Sequence, residues 1–154
     1  MKKLFLGIIF LLISSLTFGR IQAVSKYQIK DVQGITISLR GNEPFTGMVV
    51  DGKDREYYAK GKPHGKWVSF YSNGKIKSIE NWKEGTLNGK YILYNEKGKK
   101  VLETHYKDGV DHGKYAVYYT NGKPHITGQI KNGVPVGKWK VYNKDGKLAR
   151  MSKY

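Results

Sequence analysis

One phrase recurs along this chain at a fixed interval: GKWVSFYSNGK at 65–75, GKYILYNEKGK at 89–99, GKYAVYYTNGK at 113–123 and GKWKVYNKDGK at 137–147. Each copy starts 24 positions after the one before. A fixed period of this size marks an architecture in which one small unit is repeated and each copy buries its apolar side on its neighbours. Glycine keeps the period in three columns: Gly65, Gly89, Gly113 and Gly137; Gly74, Gly98, Gly122 and Gly146; and Gly61, Gly85, Gly109 and Gly133. Twelve of the 19 glycines are thereby in register, so the repeat takes precedence over any reading of a single motif.

Each unit reads as a β-hairpin. Asn73-Gly74, Asn121-Gly122 and Asp145-Gly146 carry the dipeptides of two-residue turns, in which both residues take positive φ. Before each turn lies a run rich in aromatic and β-branched residues, such as Trp67 to Tyr71 and Tyr115 to Tyr119. After it lies a second run ending on Trp82, Tyr106, Ile130 or Tyr154, again 24 apart, and both runs have strand composition. The second reversal passes through Gly85, Gly109 and Gly133 and leads to Gly89, Gly113 and Gly137. These Gly-x-x-x-Gly spacings fall among charged residues, so turn chemistry explains them rather than helix pairing in a membrane.

Trp67, Tyr91, Tyr115 and Trp139 form one aromatic ladder, and Phe70, Tyr94, Tyr118 and Tyr142 a second, three positions on. Strand alternation places the two ladders on opposite faces of a thin sheet. A lone hairpin is marginal in water, and cross-strand ring pairs contribute roughly 0.2–1 kcal/mol each, so the ladders rather than a deep core are expected to hold the array together.

The pattern G-[KT]-x-x-G-K-[WY]-x-x-[YF]-[YN]-x-x-G-K resembles the MORN repeat in its bacterial variant form, from Gly61 to Tyr154. Glu43-Pro44-Phe45-Thr46-Gly47 is similar to the P-[FY]-T-G lead-in of the YwqK-type, antitoxin-like group. The resemblance implies an all-β fold: tandem antiparallel hairpins forming one elongated twisted sheet with no helical layer. The stretch from Gly47 to Gly61 departs from the pattern, being shorter than the span from Gly65 to Gly85 that later copies keep, so a truncated or irregular first hairpin is expected. Residues 41–154 then form the repeat domain, with a degenerate copy at 41–64 and full copies at 65–88, 89–112, 113–136 and 137–154. Ahead of it, residues 24–40 read as a disordered lead over Val24 to Lys26 followed by one or two capping strands in Tyr27 to Leu39.

Residues 1–23 have the three-part layout of a secretory signal peptide: Lys2-Lys3, the apolar run Leu4 to Phe18, and a site ending at Ala23. Cleavage after Gly19 is the weaker choice, and retention as an N-terminal anchor the remaining one. Fifteen helical residues reach about 22 Å, short of the ~30 Å hydrocarbon core. The layout predicts export, and the resemblance to the bacterial repeat variant implies a destination in the periplasm, cell envelope or medium. The full chain carries 28 Lys and Arg against 12 Asp and Glu, a net charge of +16, which falls to +13 when Lys2, Lys3 and Arg20 are removed.

Catalytic chemistry finds little to work with. There is no cysteine, and Ser69, Ser72, Ser78 and Ser152 have no recurrent histidine beside them. His64 and His112 share a column but lie two repeats apart, about 20 Å at ~10 Å per repeat, too far for one metal. His105 and His125 read, with them, as loop residues near glycine turns, and Glu84, Asp108 and Asp145 as turn formers. The expectation is therefore a protein that is not an enzyme, with no catalytic residue, metal, cofactor or small-molecule substrate.

Lysine is the exception. Lys66, Lys90, Lys114 and Lys138 make one column, Lys75, Lys99, Lys123 and Lys147 a second, and Lys83, Lys107 and Lys131 a third. Stacked strands turn these into rows of positive charge suited to a polyanion: lipid headgroups, acidic glycan or, last given export, nucleic acid. Lysine also blunts sheet edges, so solubilising charge is the competing explanation. The leading reading is an exported binding module for a protein or an anionic envelope surface. The alternative is an antitoxin-like protein that neutralises one specific partner.

Overall fold

The computed structural model describes residues 22–154; the expected signal sequence, apart from its last two residues, lies outside them. Among the described residues sixteen strands follow in chain order. β1 (Ala23–Ser25), β2 (Ile29–Val32) and β3 (Ile35–Ser38) come first, and β4 (Gly47–Asp51) with β5 (Asp54–Ala59) forms the shortened copy. Then come β6 (Lys62–Pro63), β7 (Gly65–Phe70), β8 (Ile76–Lys83), β9 (Thr86–Leu87), β10 (Gly89–Tyr94), β11 (Lys100–Lys107), β12 (Val110–Asp111), β13 (Gly113–Tyr118), β14 (Pro124–Lys131), β15 (Val134–Tyr142) and β16 (Leu148–Lys153). Fourteen strands join one sheet in the order β1-β4-β5-β7-β8-β10-β11-β13-β14-β15-β16, with β6, β9 and β12 beside β5, β8 and β11. Among the described residues the only helical element is a 3-10 turn at Lys26–Gln28.

The period dictates the pairing. β7 and β8 run antiparallel from Gly65↔Trp82 to Ser69↔Ser78, and β10–β11, β13–β14 and β15–β16 repeat that ladder. Every one of these hairpins slips by one residue just before its turn, between Ser69 and Phe70, Leu93 and Tyr94, Val117 and Tyr118, and Val141 and Tyr142. The extra residue on the returning strand is a β-bulge, which bends that strand and increases its twist. Neighbouring copies touch more sparingly: β8 meets β10 at Ile79↔Ile92 and Ser78↔Leu93, and β11 meets β13 at Glu103↔Ala116 and Leu102↔Val117. Beyond those pairs the strands part around Gly89 and Gly113 before the closing strand rejoins, whereas β14 and β15 stay paired from Ile126↔Val141 to Lys131↔Val134 with an irregularity at Gly128.

The turns differ from the sequence expectation. At Asn73-Gly74 only the glycine has positive φ, 79°, and the loop has three residues, with Gly74 N–H donating to Tyr71 C=O at 2.8 Å and Tyr71 N–H to Lys75 C=O at 2.8 Å. The Asn73 side chain accepts from Lys75 N–H at 3.0 Å and donates to Glu96 C=O of the next copy at 2.9 Å. Those two bonds hold Asn73 in ordinary φ, and a type I turn with a following left-handed glycine closes the hairpin. The two-residue turns with two positive φ values are at the other reversal, as at Glu84 (50°) and Gly85 (90°).

The lead is also ordered, contrary to the sequence reading. Val24 lies in β1, which pairs parallel to β4, with Ala23↔Met48, Val24↔Val49 and Ser25↔Val50. Ser25 caps the 3-10 turn through a capping box with Gln28. β2 and β3 form the expected capping strands as a separate two-stranded sheet. The first copy is short but regular, running in unbroken register from Gly47↔Tyr58 to Asp51↔Asp54.

Burial is deepest at this capped end, where Phe45, Val49 and Tyr58 are buried and Val24, Ile29 and Trp67 pack on them. Along the array itself Ser78, Ile92 and Thr104 are buried and most other core-facing side chains keep some exposure. The ladders thus act together with a small N-terminal core, because only there does a second layer cover the sheet.

Candidate functional site

Strand alternation sorts the side chains onto two faces. On one, Tyr58, Trp67 and Trp82 follow one another at ring-centroid distances of 5.1 and 5.2 Å, and Tyr91 meets Tyr106 at 6.0 Å. Tyr115 meets Trp139 at 5.6 Å, and Trp139 meets Tyr154 at 6.1 Å. Most first-strand rings therefore pack against the second-strand column of their own hairpin. Members of one column are two strands apart, about 10 Å, too far for direct contact; Tyr115 and Trp139 manage it because Gly128 leaves room. A β-carbon on Gly128 would stand 2.3 Å from the Trp139 ring.

The same face carries carboxylates. Glu56 accepts from Tyr58 Oη at 3.0 Å, Glu80 from Trp82 Nε1 and Ser78 Oγ at 3.0 Å each, and Asp111 from the buried Thr104 hydroxyl at 2.9 Å. Burial pushes the Glu56 carboxyl above its usual range, with repulsion from Asp54, Asp51 and Glu80 adding to it and the Tyr58 bond opposing.

On the opposite face stand Lys66, Lys90, Lys114 and Lys138, with the second ladder beside them: Lys100 Nζ sits 6.0 Å above the Tyr118 ring. This column is not uniform. Glu103 takes Lys90 at 2.8 Å and Lys100 at 2.5 Å. Hydrogen bonds from Lys100 and then Lys90 draw the Glu103 carboxyl down to about 2, against the upward push of burial. Among the described residues Lys66, Lys114 and Lys138 form no ion pair.

The second lysine column packs as well as charges. The stems of Lys75, Lys99 and Lys123 lie across Gly98, Gly122 and Gly146 of the following copy, 3.4–3.6 Å from where a β-carbon would be, and Lys123 Nζ donates to Asp145 C=O at 2.9 Å. Lys147, in the last copy, and Lys83, Lys107 and Lys131, at the second reversal, are exposed.

Two equivalent hollows, one repeat apart, open on the lysine face beside Gly113 and Gly137. One, about 320 Å³, is lined by Lys90, Glu103, His105, His112, Gly113 and Lys114. The next, about 620 Å³, includes the residues 24 positions on, Lys114, Thr127, Gln129, Val136, Gly137 and Lys138, joined by Tyr118, Lys140 and, from the preceding copy, Glu103. Lys140 escaped the sequence reading. Its column runs Val68, Ile92, Ala116, Lys140, so the departure from an apolar column was there to be read.

The histidines find separate partners. His64 lies edge-on to Tyr57, His105 Nδ1 is 3.4 Å from Lys114 C=O, His112 Nδ1 is 3.1 Å from Asn132 Oδ1, and His125 stacks on Tyr119 at 4.3 Å. Ser69 and Ser78 bond to each other at 2.7 Å.

The MORN repeat variant family model matches residues 63–84, 87–108, 111–132 and 135–154, four tandem copies laid on the four full hairpins. The chain belongs to this family. A search of curated proteins returns no match. The family boundaries fall two residues ahead of the glycine that opens each hairpin, so they cut at the closing turns, and the first hairpin, β4–β5, lies outside them. Within the MORN array the geometry supports a repeat binding module whose two faces differ in chemistry.

Proposed function

We propose that this MORN protein is an exported, non-enzymatic module of bacterial origin that lays its lysine face on an anionic envelope surface. The observation that carries the reading is the unequal charge of the two faces, the lysine face holding Glu103 already spent on Lys90 and Lys100. Lys66, Lys114, Lys138 and Lys140 stand free of ion pairs among the described residues on one face, while Glu56, Glu80 and Asp111 are turned to the aromatic face. Charge serving solubility alone has no reason to be one-sided. Each lysine near an anionic bilayer contributes about 1 kcal/mol, so four or five suffice for measurable attachment.

Co-sedimentation tests it: the purified protein is spun with vesicles of phosphatidylcholine alone and with vesicles of phosphatidylcholine mixed with phosphatidylglycerol. Retention on the anionic vesicles alone, falling steeply between about 0.05 and about 0.5 M salt as the Debye length shrinks, is the expected outcome. Equal recovery on both vesicle types sinks the reading. The second reading, an antitoxin-like or YwqK-type protein that neutralises a protein partner, draws on the aromatic face, where Trp67 and Trp82 lie beside Glu56 and Glu80 with neither carboxylate ion-paired among the described residues.

A further inference from the structure

The equivalent hollows of the lysine face have diverged, and the divergence points one way. In the hollow between the copies opened by Gly89 and Gly113, Glu103 occupies the floor and neutralises Lys90 and Lys100. In the hollow between the copies opened by Gly113 and Gly137, Thr127 replaces the glutamate, Gln129 and Val136 replace the two histidines, and Lys140 replaces an alanine; Glu103 borders this hollow too, but its two oxygens are taken by Lys90 and Lys100. Three changes remove an anion or an imidazole and one adds an ammonium, while the volume rises from about 320 to about 620 Å³. Next to it, Lys138 lies directly opposite Lys153 across β15 and β16. Like charges facing each other across a strand pair are destabilising unless something between them is negative.

Resting on the anionic-surface reading, we propose that this hollow is a discrete site for a phosphomonoester, with Lys114, Lys138 and Lys140 as its cations and Gln129 and Thr127 as its neutral hydrogen-bonding groups. Three ammonium groups around one hollow match a dianion with three free oxygens, each able to accept a charge-assisted hydrogen bond. A phosphodiester offers one charge and two free oxygens, and leaves one lysine unmatched. The chemistry is shared by a lipid headgroup ending in phosphate and by a soluble phosphate, so the source is a separate question.

The purified protein is tested against phosphatidylcholine vesicles containing the same minor mole fraction of either phosphatidic acid or phosphatidylglycerol, and against inorganic phosphate by shifts of the Gln129 and Gly137 backbone amide resonances. Three variants go with it: K114Q/K138Q/K140Q, the charge-matched control K83Q/K107Q/K131Q, and Thr127→Glu, which restores the carboxylate of the equivalent hollow. Far-ultraviolet circular dichroism checks that each is folded. The site predicts tighter binding to phosphatidic acid than to phosphatidylglycerol vesicles. It also predicts a tenfold or greater loss in the hollow triple variant and in Thr127→Glu, against no more than about threefold in the control.

Vesicle binding identifies a lipid source; resonance shifts with inorganic phosphate but no vesicle binding leave the site standing with a soluble source and overturn the envelope-surface reading. Equal losses in the two triple variants overturn the site while the broad lysine face survives. Equal affinity for the two anionic lipids overturns the phosphomonoester class. No response to vesicles or phosphate overturns both proposals.

Discussion

Glu103 is the one strongly shifted carboxylate on the lysine face, and its removal has a calculable cost. Its two oxygens each take one ammonium group, from Lys90 at 2.8 Å and Lys100 at 2.5 Å, and they hold the carboxyl at about 2 rather than 4.5. A shift of that size corresponds to about 3 kcal/mol at 1.36 kcal/mol per unit. The lysine side chains are 45% and 39% exposed, so water and salt screen the pairs and about 1–2 kcal/mol is the realistic value. Because the folded-state value is depressed, this stabilisation is complete above about pH 4.5 and is lost as pH falls from there towards 2. Glu103→Gln keeps the shape and removes the charge. At pH 7 it is expected to lower the melting temperature by about 4–8 °C, at roughly 4 °C per kcal/mol for a domain of this length. Thermal unfolding followed by circular dichroism at steps from pH 7 to pH 2 tests both parts. The gap between native protein and variant should close across the acid range. A gap of constant size from pH 7 to pH 2, or none at pH 7, refutes the assignment of the stabilisation to this ion-paired carboxylate.

Two further outcomes are expected. Gly128→Ala drives a β-carbon to within 2.3 Å of the Trp139 ring, so the ring must leave its place; a cost of about 1–3 kcal/mol in denaturant unfolding is expected, and an unchanged midpoint would show that Trp139 repacks freely. Export predicts a trimmed N-terminus, with the cut after Ala23. N-terminal sequencing of protein recovered from the envelope or medium should start at Val24; intact Met1 on cytoplasmic protein would end the export reading.

The order and pairing of the hairpins were legible because they depend on local rules applied to a period. Alternation alone placed Lys66 and Trp67 on opposite faces, and the recurrence of Gly65 and Trp82 set the register in which they pair. What escaped depended on partners distant in sequence or on side-chain hydrogen bonds. Val24 pairs with Val49, a full copy further along the chain, and a strand as short as Ala23–Ser25 carries no alternation to read. The Asn73-Gly74 dipeptide pointed to a two-residue turn, yet the asparagine amide is committed to Lys75 and to Glu96 of the next copy, and that commitment decides the turn. Dipeptide preference describes an isolated hairpin; in a stack, the neighbouring turn competes for the same side chain.

The lysine columns show the limit of arguing from repetition. A column predicts equal positions, and equal positions predict a uniform row of charge. The row is not uniform, because Glu103 appears in one copy only and cancels Lys90, whereas Thr127 stands in its place one copy later and leaves Lys114 and Lys138 uncancelled. The repeated residues are those that the backbone needs, glycines for turns and rings for ladders, and their sameness is what makes the sheet regular. Residues free of that duty are the ones able to differ between copies. In a repeat protein the chemistry that selects a ligand is therefore carried by departures from the period, here at positions 127, 129, 136 and 140, and those departures acquire meaning only once the hairpins are stacked and equivalent hollows can be compared.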